Sequence, residues 1–273
     1  MIKKEKITIS LDSNLLLKID AKIDKVNFKS RSNVIENFIR EWLKLKNDIW
    51  ALIIANDENW NDKDYPLEIP KVLINIDWKT LLEKQLEMLE KANIQNVILA
   101  IWHWKEQVKK FLRKKKFQIN INILEVDLKD KTWKVLEKAK KFILYDKLLV
   151  LLWDNYHNNF NLLDFIYYHN TSDTDLSIVV KANNASEGYW NIKLEWNNIV
   201  KFVEKPQTKD DITFIVNTWI YLLNTNIVPE TWKNTKIETD FFPDYVILNK
   251  AKAYFHNWNW FHLQDNETLR LFG

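Results

Sequence analysis

Polar and apolar residues alternate over 6–11 (KITISL), the period of a short half-buried strand. Asp12 and Ser13 follow as N-cap candidates. Leu15, Leu16, Ile19 and Ile23 then recur at helical spacing. After a loop over 25–29, Ser30 or Ser32 caps a second helix, with Val34, Ile35, Phe38, Ile39 and Leu43 on one face. A strand and two helices of this length cannot bury a core alone, so residues 1–47 are expected to form a module that dimerises.

A polar link over 44–48 leads into a second unit, 49–273. ALIIA (51–55) reads as a buried strand, followed by a polar loop over 56–67. The span 79–91 predicts an amphipathic helix with Leu81, Leu82, Leu86 and Leu89 inside. NVILAI (96–101) is the next strand and 105–116 the next helix, whose basic run KKFLRKKK (109–116) reads as a solvated face. Strand 119–126, helix 133–142 and strand 148–153 continue the alternation. Such alternation predicts an α/β fold: a mostly parallel, Rossmann-like sheet with helices on both faces, preceded by the small N-terminal module.

The chain has 273 residues, 47% hydrophobic and 28% charged, as in a globular protein with a core. No apolar run reaches the ~18 residues of a membrane span, and the N-terminus lacks a signal-peptide core. A cytoplasmic protein with no membrane partner is expected. With no Cys, disulfides and thiolate metal sites are excluded. The net charge of +3 argues against a wholly basic nucleic-acid binder. It is unevenly placed, however: residues 1–48 carry 11 Lys/Arg against 7 Asp/Glu.

Two counts are out of line. Glycine at the usual ~7% would number about 19, but there are 2, alongside 14 Trp. Asp77-Trp78-Lys79, Glu195-Trp196-Asn197 and Asn257-Trp258-Asn259 read as tight turns, where glycine belongs because it has no Cβ. Most of these Trp are therefore expected to be glycine in the organism, as when UGA is read as glycine.

In parallel sheets ligands bind beyond the carboxyl ends of the strands. LLVLLW (148–153) delivers Asp154 to such an end, where a carboxylate suits Mg²⁺; a loop-capping role is the alternative. His103, His157, His169 and His256 show no ligand spacing and are expected at the surface or in turns.

Two stretches resemble known families. ITISLDSNLLLKIDAKIDKVNFKSRSNVIENFIREWL (7–43) resembles the ribbon-helix-helix DNA-binding proteins. That resemblance implies a homodimer whose paired strands enter the major groove of double-stranded DNA. Lys6, Thr8 and Ser10 would face the bases, and Ser30 and Arg31 would set a helix N-terminus on a phosphate. The alternative is a module that only dimerises.

With glycine read at the Trp positions, residues 50–269 resemble the sugar-1-phosphate nucleotidyltransferases. The matching pieces, in order, begin with WALIIA (50–55), IPKVLINIDWKTLLEKQLEML (69–89) and VILAIWHWKEQV (97–108). Thr132-Trp133 and LLVLLWD (148–154) come next. EGYWNIKLE (187–195), FVEKP (202–206), VNTWIYLLN (216–224) and IETDFFP (237–243) complete the series.

The resemblance implies that a sugar 1-phosphate oxygen attacks the α-phosphorus of a nucleoside triphosphate, releasing pyrophosphate with the help of Mg²⁺. Catalysis is then positioning and charge neutralisation. On matching positions, Lys71 would contact the nucleotide phosphates, Asp154 would hold Mg²⁺, and Lys205 would bind the sugar phosphate. Glu204 would accept sugar hydroxyls, Asn217 would line the sugar pocket, and Trp190 would be a glycine whose backbone approaches the sugar. Taken singly, Lys71 and Lys205 could equally be surface lysines.

Two places depart from the family pattern. Its glycine-rich phosphate loop falls on Asn56–Lys63, where Asp57, Glu58 and Asp62 oppose a triphosphate. Its second metal-binding Asp falls on His262, a poorer Mg²⁺ ligand. A catalytically silent, ligand-sensing DNA-binding regulator is therefore the alternative to a working, possibly impaired, enzyme.

Overall fold

The computed structural model describes residues 7–23, 28, 30–42, 49–55, 70–102, 104–183, 189–204, 206, 212–228, 236–257 and 259–263. Helices α1 (Ser13–Asp20) and α2 (Arg31–Trp42) come first. Asp12 caps α1, accepting from Leu15 N at 2.9 Å, and Ser30 caps α2, accepting from Asn33 N at 3.2 Å. Arg31 donates to both carboxylate oxygens of Asp20, at 2.6 and 2.8 Å, and so ties the two helices together.

The strand expected over 6–11 is not formed at its described positions: residues 7–12 join no ladder. An extended segment without a neighbouring strand makes no ladder. Ile7, Ile9, Leu15, Leu17, Phe38 and Ile39 are left exposed.

The body opens with β1 (Ile49–Ala55), buried throughout. A small hairpin, β2 (Asn75–Ile76) and β3 (Lys79–Thr80), leads into α3 (Leu81–Lys91), whose first turn is capped by Thr80. The expected helix start at Lys79 thus moves to Leu81, because Asp77 and Trp78 turn at φ 48° and 71°. Next come β4 (Asn96–Ile101), α4 (Lys105–Lys114), β5 (Asn120–Glu125), α5 (Thr132–Lys140) and β6 (Lys147–Leu152). They are followed by β7 (Asn155–His157), α6 (Leu162–Thr171), β8 (Leu176–Ala182), β9 (Trp190–Glu195) and β10 (Asn198–Glu204). The described elements end with β11 (Ile215–Asn224), α7 (Ile237–Asp240), α8 (Phe242–Ile247), β12 (Ala251–Phe255) and β13 (Trp260–His262).

Nine strands form one sheet in the order β5-β4-β1-β6-β11-β8-β12-β10-β9. The first four are parallel. β11 then enters antiparallel to both β6 and β8. The sheet is therefore mixed rather than mostly parallel. β9 and β10 form a hairpin turning at Trp196 and Asn197, and a short turn of that kind gives antiparallel neighbours.

Both faces are covered. Leu52 and Ile54 of β1 pack with Val135 and Leu136 of α5 and Phe242 of α8. The alternate residues Ala51 and Ile53 pack with Leu82 and Leu86 of α3, Val108 of α4 and Phe165 of α6. This two-sided burial is what makes β1 read as an unbroken apolar run.

Candidate active site

Strand β6 ends at Leu152, and the chain turns through Trp153 to Asp154. The Trp153 N–H still reaches the β1 carbonyl of Ile54 at 3.2 Å, so Asp154 stands at the carboxyl edge of the parallel strands. Beyond it, β7 pairs antiparallel with β13, setting His262 opposite Asn155. Asp154 is 6% exposed; its Oδ1 accepts from Asn155 Nδ2 at 2.7 Å, and its Oδ2 lies 3.3 Å from His262 Nε2. Asn155 is held in turn by the indole N–H of Trp260, which donates to its Oδ1 at 2.9 Å. The two residues read as metal ligands, distant in sequence, are thus brought together and oriented.

Lys71 arrives from another direction. Pro70 precedes a short 3₁₀ turn over Lys71–Leu73, and Lys71 is buried at its start. Its Nζ lies 5.5 Å from the ring centroid of Trp153, one residue before Asp154. Lys71 thus lies close to the side chain of the residue that follows β6.

Asn217 lies in β11 at a bulge between Asn217 and Tyr221 and is fully buried. Its Oδ1 accepts from Trp219 N at 3.0 Å and its Nδ2 donates to Tyr221 Oη at 2.6 Å. Tyr221 Oη donates onward to Glu238 Oε1 at 2.7 Å. Burial pushes the Tyr221 hydroxyl well above its ordinary range, with the Glu238 charge next and Asp154 adding a smaller push. Sequence reasoning missed this Asn217–Tyr221–Glu238 chain because the bulge that aligns it leaves no periodic mark.

Trp190 opens β9 as a buried residue, with Lys236 Nζ 5.9 Å from its ring centroid. Its ladder partner on β10 is Glu204, so these two candidate sugar contacts share one pair of strands. Tyr189, Trp219, Trp260 and His262 form an aromatic cluster beside Asp154, with Trp219 stacked on His262 at 4.8 Å. Lys205, Lys6 and the Asn56–Lys63 loop lie outside the described residues. Thr8 and Ser10 are exposed in the N-terminal segment, while Ser30 and Arg31 serve the cap and the Asp20 pair.

The histidines depart from the surface expectation at three positions. His169 is buried between Ser177 Oγ, at 2.8 Å, and Asn224 Oδ1, at 3.3 Å. His256 is buried and packs against His157 at a 5.5 Å ring separation. Desolvation is the main cause that pulls His169 and His256 down to about 4. The same cause, followed by His256, takes His157 well below its ordinary value.

Four Trp occupy the left-handed region: Trp78 (φ 71°), Trp104 (64°), Trp196 (59°) and Trp219 (58°). The other non-glycine residues there, among those described, are Asp77, Asn93, Asn159 and Asn249. Asn and Asp tolerate that region; a bulky aromatic does not.

For a divalent cation, the Asp154 carboxylate fits as a hard oxygen donor, whereas the His262 imidazole suits ions softer than Mg²⁺. Among the described residues no group of three or more His, Asp or Glu converges as a metal site. Any cation here would complete its shell with substrate oxygens or water. Among the described residues, no helix is long and apolar enough to cross a membrane.

The nucleotidyl transferase family model matches residues 66–261. The mannose-1-phosphate guanyltransferase of Gibberella zeae is 27% identical over 215 residues, 75% of this chain and 57% of that protein. Mannose-1-phosphate guanylyltransferase 1 of Arabidopsis thaliana is 25% identical over 203 residues, 71% of this chain and 55% of its own length. The chain spans little more than half the length of these relatives. HddC from Yersinia pseudotuberculosis, solved in complex with GMP-PN, shares the fold at a TM-score of 0.67 and 20% identity. That likeness covers 82% of this chain and 97% of HddC.

Proposed function

Because the chain belongs to the nucleotidyl transferase family, we propose that it is a sugar-1-phosphate nucleotidyltransferase. In this reading a phosphate oxygen of the sugar 1-phosphate attacks the α-phosphorus of a nucleoside triphosphate. The bond to the β-phosphate breaks, pyrophosphate leaves, and an NDP-sugar remains. The observation that carries the reading is the meeting of Asp154 and His262 just beyond the end of β6. The names of the relatives make GTP and mannose 1-phosphate the first pair to try.

Each residue has a part in this scheme. The Lys71 ammonium balances the nucleotide phosphates, and Lys205 balances the sugar phosphate; placed cations lower the barrier when charge spreads in the transition state. Asn217, held by Tyr221, would line the sugar pocket, and Glu204 would accept sugar hydroxyls. Asp154 would hold a divalent cation, Mg²⁺ in the simplest reading, which when bound neutralises phosphate charge. Lys71→Ala is expected to raise the KM for nucleotide, and Lys205→Ala the KM for sugar phosphate. An equal effect of both variants on both substrates would refute this division of labour.

The same reading includes glycine at most printed Trp positions. Four Trp at positive φ support it, as does the Trp50 indole N–H, buried without a hydrogen-bond partner among the described residues. Trp260, whose N–H is bound by Asn155, is a genuine tryptophan in this reading. An intact native mass equal to that of the printed sequence would refute the recoding.

The N-terminal module, in this proposal, is a ribbon-helix-helix that makes the protein a homodimer. The exposed apolar set Ile7, Ile9, Leu15, Leu17, Phe38 and Ile39 supports that role. Binding of double-stranded DNA through Lys6, Thr8 and Ser10 belongs to the second reading, the ligand-sensing regulator. There Arg31 must release Asp20 before it can meet a phosphate.

A further inference from the structure

Asp154 and His262 set one oxygen and one nitrogen side by side. Asp154 Oδ2 and His262 Nε2 are 3.3 Å apart, and both side chains are about nine-tenths buried. Two donors each about 2.1 Å from one ion, at roughly 90–110° to each other, lie about 3.0–3.4 Å apart. The observed separation falls within that span. The carboxylate cannot swing freely, because its Oδ1 is held by Asn155 and Asn155 by the Trp260 indole. The imidazole is fixed by the β7–β13 ladder and by Trp260, stacked at 6.2 Å. Supporting groups of this kind fix the geometry of a metal ligand.

The donor set decides which ion fits. Mg²⁺ prefers oxygen ligands and gives up water reluctantly. Imidazole nitrogen raises affinity along the series from Mn²⁺ to Co²⁺ and beyond.

We propose that Asp154 and His262 form a mixed oxygen–nitrogen site that takes a first-row transition-metal dication, such as Co²⁺ or Mn²⁺, in preference to Mg²⁺. This deepens the proposed reaction by naming its cation, and it rests on that reading for the use of the ion but not for its binding.

The test uses the full chain freed of metal and titrated with Co²⁺ alone, followed by visible absorption. The expected result is a saturable ligand-field band that survives about a tenfold excess of Mg²⁺. The band should be lost in His262→Ala. In His262→Asp, an oxygen-only site, Mg²⁺ should compete at equal concentration. Thermal unfolding gives a second readout, in which Co²⁺ or Mn²⁺ raises the Tm of the unmutated chain more than Mg²⁺ does.

The inference is overturned if Mg²⁺ displaces Co²⁺ at parity in the unmutated chain, or if no band forms. It is also overturned if the band persists in His262→Ala, which would place the ion elsewhere, for instance at His157 and His256. Failure of the Co²⁺ titration with pyrophosphate release intact would end this inference and leave the proposed reaction standing. Co²⁺ binding without turnover would do the reverse.

Discussion

Trp78 and Trp196 hold their side chains in water, 99% and 95% exposed, on backbone that favours glycine. An indole there gains little burial, and its Cβ costs roughly 1–2 kcal/mol in the left-handed region. Trp78→Gly and Trp196→Gly should therefore each stabilise the chain by about 1 kcal/mol, after part of the gain is offset by the freer unfolded chain. Urea unfolding measures this, and a loss of stability in both would contradict it.

Tyr221→Phe removes the hydroxyl that accepts from Asn217 and donates to Glu238. Leaving those buried groups without it should cost about 1–3 kcal/mol and raise the KM for sugar phosphate while sparing that for nucleotide. Buried histidines set a third expectation at this scale. His169 and His256 titrate at about 4 in the fold, against 6.5 ordinarily. Between those values the unfolded chain binds more protons, so stability falls as pH drops through that window. The slope approaches about 1.4 kcal/mol per pH unit per histidine. A flat stability profile from pH 6.5 to 4, read by denaturant midpoints, would count against it.

Elements were legible where their pattern is local. β1, α3, β4 and β6 follow from apolar runs and a 3.6-residue period, with ends shifted only at turns such as Asp77-Trp78. The β7–β13 pairing was not legible, because it joins residues a hundred positions apart through short strands of mixed polarity. The same holds for the antiparallel insertion of β11 between β6 and β8, which depends on connections rather than on strand composition. The N-terminal helices illustrate the reverse case: α1 and α2 form as their caps predict, but the strand expected before them joins no ladder at its described positions. On the proposal that this module pairs two copies, removing residues 1–47 should leave a monomer, measured by light scattering after size exclusion. An unchanged oligomer would move the interface to the body.

At the scale of the whole molecule, the family could be named from motif order because the matching pieces follow one another along most of the second unit. Asp154 and His262 do meet just beyond the end of β6. What the residue pattern could not supply is the chain that steadies Asn217, since hydrogen bonds across a bulge depend on three-dimensional register. The central claim is transfer of a nucleotidyl group to a sugar phosphate. The measurement that tests it most directly is pyrophosphate release by protein carrying glycine at every printed Trp except Trp260. It is supplied with Mg²⁺ or Mn²⁺, each nucleoside triphosphate, and a panel of sugar 1-phosphates beginning with mannose 1-phosphate. The account predicts release that requires both substrates and disappears in Asp154→Ala. Release that survives Asp154→Ala, or no release with any pair, would contradict it.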